Sequence, residues 1–161
     1  MKTFSFFKGI GVFLLLVALH YAVRPLLGTR ISIDFLVIAV LLTAVHVRPG
    51  VAALIGFVTG LIADSLTPLS FGAGALALSA AGSAASWLKA VVSVDNILLQ
   101  TIFLAAGKMA FDIMYLVVER RLSVGQLAVQ LLVWSPLSAI ATGLAGVLVV
   151  LTFRISMESR P

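Results

Sequence analysis

The 161 residues are 61% hydrophobic and only 11% charged, with a mean hydropathy of +1.20, whereas a soluble domain carries roughly a quarter charged residues. That composition excludes a water-soluble fold, and the net charge of +5, scattered singly between apolar runs, reads as a set of membrane-topology determinants and not as a nucleic-acid surface. The absence of cysteine excludes disulfide frameworks and thiolate metal sites.

A spanning helix needs ~20 mostly apolar residues, so about six spans would use most of the chain and leave no separate soluble domain. The expected fold is an all-α integral membrane bundle occupying 1–161. Residues Met1 to Lys8 and the apolar run after them have the layout of a secretory signal, but bulky side chains at Leu19, His20 and Tyr21 stand where a peptidase needs small ones. The run is therefore expected to be an uncleaved first span, about 6–23, with Lys8 snorkelling to the headgroups and Pro25 marking the exit.

The second span covers about 32–47. Arg48, Pro49 and Gly50 make a tight turn into the third, about 51–66, which Pro68 ends. An uncharged connection leads to the fourth span, about 73–89, whose run of Ala, Gly and Ser allows packing on several sides and predicts a central helix. Asp95 is the expected cap of the fifth span, about 97–118. Ser123 and Gln126 match a capping box before the sixth, about 124–152. From Leu122 to Phe153 there is no charge for 32 residues, with Pro136 near the middle, so a kinked or tilted helix is expected there, or else an interfacial turn followed by a span.

With both termini inside, Lys2, Lys8, Arg48, Lys89, Arg154 and Arg160 lie on the cytoplasmic side, against Arg24, Arg30, Arg120 and Arg121 outside. Basic residues favour the cytoplasm. This orientation also puts the uncharged loop after the third span, and Asp64, at the outer face.

Spans associate through small residues and a few polar contacts, because lipid supplies no hydrophobic drive between helices. On the third span Ala52, Gly56, Gly60 and Asp64 recur every four residues, a GxxxG stripe that serves either packing within the bundle or a partner. The fifth span is the most polar: Thr101, Lys108, Asp112, Tyr115 and Glu119 share one face at 100° per residue. An ionisable group at the bilayer centre costs on the order of 3 kcal/mol, so Lys108 and Asp112, four apart, either neutralise each other or line a ligand or partner site. Asp34 and Asp64, near helix ends, read as capping or pairing residues. His20 and His46 have no neighbouring carboxylate in sequence and no third ligand at metal spacing, so no metal site is expected. No nucleophile with a base, phosphate loop or catalytic carboxylate pair is present, so neither an enzyme nor a cofactor is expected.

The stretch from Arg48 to Leu76, RPG followed by GFVTGLIADSLTPLSFGAGAL, resembles MreD, the small membrane subunit of the bacterial rod-shape system. The resemblance is carried by Arg48, Pro49, Gly56, Phe57, Gly60, Leu61, Asp64 and the Phe71, Gly72 pair, with Asp34 where that family tends to place an acidic residue. It covers about a quarter of the chain. It implies a non-enzymatic protein of the inner membrane that binds the single-pass protein MreC, in a complex with RodA, a class B penicillin-binding protein and the actin-like MreB. It also implies a fold like the S components of energy-coupling-factor vitamin transporters, in which Ala18 and Ala22 match an AxxxA stripe of the first helix. A substrate-binding transporter subunit is the alternative function.

Overall fold

The computed structural model describes residues 2–23, 33–66, 70–88, 96–119 and 124–158. All regular structure among them is helical: α1 Lys2–Val23, α2 Phe35–Ala44, α3 Pro49–Ser65, α4 Ala73–Leu88, α5 Ile97–Glu119, α6 Val124–Val129, a π-helical segment Gln130–Trp134, and α7 Ser135–Glu158. The expectations placed on Arg24, Pro25, Arg30, Pro68, Lys89, Asp95, Arg120, Arg121, Ser123 and Arg160, and on the side chains of Lys8 and Arg154, lie outside the described residues and side chains.

The most enclosed element is α2, not α4. Its sequence FLVIAVLLTA has no polar face, and Phe35 through Leu41 and Ala44 are all buried, as expected for a helix apolar all round. It is also shorter than the sequence suggested. The chain leaves it at Val45, and His46 and Val47 close turns onto the Thr43 and Ala44 carbonyls. In contrast, α4 buries one broad face but presents Leu76, Trp87 and Leu88 outward. At its end the Ser86 hydroxyl donates to the Val47 carbonyl at 2.7 Å, tying α4 to the α2–α3 turn. Pro49 opens α3 at its first position, where a missing N–H costs nothing and the fixed φ suits a helix.

The tightest pairing is α3 against α4, followed by α5 against α7 and α4 against α5. Along the final run the chain stays helical from Val124 to Glu158. One widened turn precedes Pro136, and the Ser135 amide reaches back five residues to the Gln130 carbonyl. Proline offers no donor and its ring crowds the carbonyl four residues earlier, and a π turn relieves both.

Large apolar side chains lie on both the inside and the outside of the bundle. The interior holds many Ala, Gly and Ser residues, while Leu54, Phe57, Ile62, Leu98, Ile102, Leu132, Leu144 and Leu148 face outward. Two helices, Ile97–Glu119 and Gly125–Thr152, are long and apolar enough to cross a bilayer, with mean hydropathies of 1.7 and 1.8.

Candidate functional site

The small-residue stripe of α3 is used within the bundle. A Cβ added at Gly56 would overlap the Leu78 carbonyl, and one at Gly60 would overlap the Ala75 backbone, both on α4. Only glycine permits this approach. The stripe ends at Asp64, 3% exposed, whose Oδ2 accepts hydrogen bonds from the Gly72 amide at 2.9 Å and the Ala75 amide at 3.0 Å. The α3 carboxylate thus caps the free N–H groups at the start of α4, where a negative charge also suits the helix dipole.

The connecting chain is shaped to permit this cap. Gly72 has φ +94°, which side chains other than hydrogen rarely tolerate, and a Cβ at Gly74 would overlap Asp64 Oδ1. Gly56, Gly60, Asp64 and Gly72 therefore form one device, to which the structure adds Gly74. Phe71 takes no part in it and points outward, 62% exposed. Arg48 is exposed at the opposite end of α3 and makes no side-chain cap.

The second polar centre joins four helices. Lys108 of α5, 4% exposed, places Nζ 2.6 Å from Asp112 Oδ1 and 3.2 Å from Asp34 Oδ2. Asp34 is the N-cap of α2. Its other oxygen lies 3.3 Å from Nδ1 of His20, buried near the end of α1, so the structure gives this histidine the carboxylate neighbour that its sequence surroundings lack. The Asp34 amide donates to Thr142 Oγ1 of α7 at 3.2 Å. The Phe111 ring centroid lies 4.9 Å from Lys108 Nζ, adding a cation–π contact. Ser135, 1% exposed, and buried Ser138 bring further hydroxyls from α7.

The rest of the polar face predicted on α5 does not converge there. Thr101 turns back to the Ile97 carbonyl at 2.8 Å. Tyr115 stacks on Phe111 and donates to Ser70 Oγ at 3.0 Å, reaching the chain that leads into α4. The cap of α5 is Asn96, whose Oδ1 accepts from the Leu98 and Leu99 amides at 3.0 and 3.2 Å, a role the sequence reading gave to Asp95. Among the described residues no three His, Asp or Glu side chains are grouped to hold a metal ion. An open groove of about 430 Å³ lies along α6 and the π segment, lined by Gly125, Gln126, Val129, Gln130 and Trp134. It shares no residue with either polar centre.

What the sequence missed is the meeting of His20 and Asp34 with Lys108. A usable signal was present: each ionisable group inside an apolar segment requires a partner, and Asp34 is a carboxylate within reach of a span that needed one. Compared with protein families, with curated proteins and with solved structures, the chain matches none.

Proposed function

We propose that the chain is a non-enzymatic scaffold of the bacterial inner membrane, with about six spans and both termini cytoplasmic, which acts as an MreD-like subunit of the rod-shape complex. In this reading it binds an MreC-like single-pass protein and helps hold RodA and a class B penicillin-binding protein in position for peptidoglycan synthesis. The observation that carries the proposal is how the interior is used. The glycine stripe and Asp64 are consumed by α4, and Lys108 is consumed by Asp34 and Asp112. The large side chains left to the surroundings are apolar, a surface suited to lipid and to a partner's transmembrane helix packing by van der Waals contact. The motif residues from Arg48 to Gly72 give this reading its specificity.

The test is co-purification of the full chain with an MreC-like protein, in detergent and in nanodiscs. Retention of a stoichiometric complex is expected, and clean separation under all conditions would count decisively against the scaffold. The second reading, a vitamin-binding subunit with the S-component fold, draws on the polar groups that α1, α2, α5 and α7 gather in one place. It predicts a small molecule released on denaturation and visible by mass spectrometry, and association with an ATP-driven module.

A further inference from the structure

From Gly125 to Trp134, along α6 and the π segment, no residue is buried: Gly125, Gln126 and Val129 are exposed, and Gln130 and Trp134 are half-buried. The α7 helix that follows has 24 residues, a rise of about 36 Å that covers the ~30 Å hydrocarbon core unaided, so the arm before it is not needed for crossing. We propose that this arm is a phospholipid-binding site, in which the groove along α6 and the π segment takes the headgroup and glycerol, and an exposed stripe of α7 takes the acyl chains. The proposal goes beyond the scaffold reading and holds whichever partner the bundle engages.

Pairing with α5 sets the depth of the groove. A Cβ at Gly143 would reach the Thr101 carbonyl and the Ala105 side chain, and Ser135 stands beside Asp112, so α7 runs antiparallel to α5. Followed outward by about two turns, α6 comes level with Glu119, the charged last residue of α5. A carboxylate at a helix end belongs to the headgroup region. Trp134, slightly inside that level, has the depth at which an indole keeps its ring in apolar surroundings and its N–H among polar ones.

The lining suits a lipid at that depth. Gln126 and Gln130 are uncharged, and each primary amide offers two N–H donors and an acceptor oxygen, a match for phosphate and ester oxygens that selects no headgroup charge. No charge occurs from Leu122 to Phe153, so a charged peptide finds no counter-ion within this segment. The groove, about 430 Å³, runs over roughly 14 Å of helix from Gly125 to Trp134, the size of a small-ligand site and too short for a spanning helix. Below it Val129, Val133, Leu137, Ile140 and Leu144 are all exposed. Their spacing of three or four residues places them on one face, a continuous apolar track from the groove toward the bilayer centre.

The deciding experiment is native mass spectrometry of the full chain released from nanodiscs of mixed phosphatidylethanolamine and phosphatidylglycerol. One phospholipid, of either headgroup, is expected to stay bound at collision energies that strip the others. Gly125→Leu, whose new side chain starts in open space and occupies the groove, should abolish this retention. Gln130→Leu should weaken it about fivefold, the worth of one hydrogen bond. Leu54→Ala, exposed on α3, should leave it unchanged, and all three variants should keep the wild-type thermal midpoint, because none touches the interior. Absence of a retained lipid, or equal retention in the wild type and both groove variants, would overturn the proposal. So would groove variants that lose co-purification with a single-pass partner while holding lipid as the wild type does, since the arm would then be a protein interface.

Discussion

Asp34 and Lys108 are 74 positions apart, yet a carboxylate oxygen of one lies 3.2 Å from the ammonium of the other, so the cap of α2 is also a counter-ion of α5. One residue thereby fixes both where a helix starts and which neighbour it meets. The geometry makes the contact sensitive to which partner is removed.

Lys108→Met strips the ammonium from between two carboxylates. Breaking a buried pair by removing one partner costs about 3–5 kcal/mol, whereas replacing all the charges with apolar groups is often near neutral. The single variant is therefore expected to lower the thermal midpoint in detergent markedly. The triple variant Asp34→Asn, Lys108→Met, Asp112→Asn should recover a large part of the loss. A triple variant less stable than the single one would remove the charge-pairing account.

Gly60→Leu is expected to disrupt the bundle far more than Leu61→Ala. The first forces α3 away from the Ala75 backbone, an overpacking loss of about 3 kcal/mol or more, while Leu61 is only half-buried. Size-exclusion profiles and midpoints of the two variants provide the comparison, and equal behaviour would refute close packing on this stripe.

At Asp64, Ala should destabilise by about 1–3 kcal/mol through loss of a buried acceptor at a helix start, and Asn by less, because its amide oxygen still accepts. Hydrogen exchange at the Gly72 and Ala75 amides should quicken in Asp64→Ala before exchange elsewhere in α4.

Gly72→Ala meets no neighbouring atom but inherits φ +94°, a strain of about 1 kcal/mol. Gly50→Ala, in open space within the first turn of α3, should be neutral or stabilising by up to about 1 kcal/mol. Opposite signs for these two glycines, measured by unfolding, would separate conformational strain from packing.

Legibility from the sequence followed the range of the forces involved. Helices α3, α4 and α5 were visible because an apolar run bounded by Pro, Gly or a polar cap is a local signal, and the Gly56, Gly60, Asp64 spacing was visible because it repeats on one face. That Asp64 caps the following helix, and not its own, was not visible, since this depends on how the intervening residues fold back. The end of α2 was overestimated because Val45 and Val47 continue its hydrophobicity into a turn. His20 was set aside for want of a nearby carboxylate in sequence, and its partner arrives only through the packing of α1 on α2. In an apolar chain, hydropathy shows which segments are helical and says little about which helices touch.

The short pairing of Lys108 with Asp112 also has a consequence for the order of assembly. Because the two lie one turn apart on α5, that helix can partition into lipid already carrying its own counter-ion, before any other helix has arrived. The α3–α4 hairpin is likewise complete in itself, since Asp64 closes it over a separation of only 8 to 11 residues. Both units can form early from local contacts, which close fastest. Lys108 stands 74 positions from Asp34, so this second pairing, unlike the first, waits until the start of α2 has packed against α5.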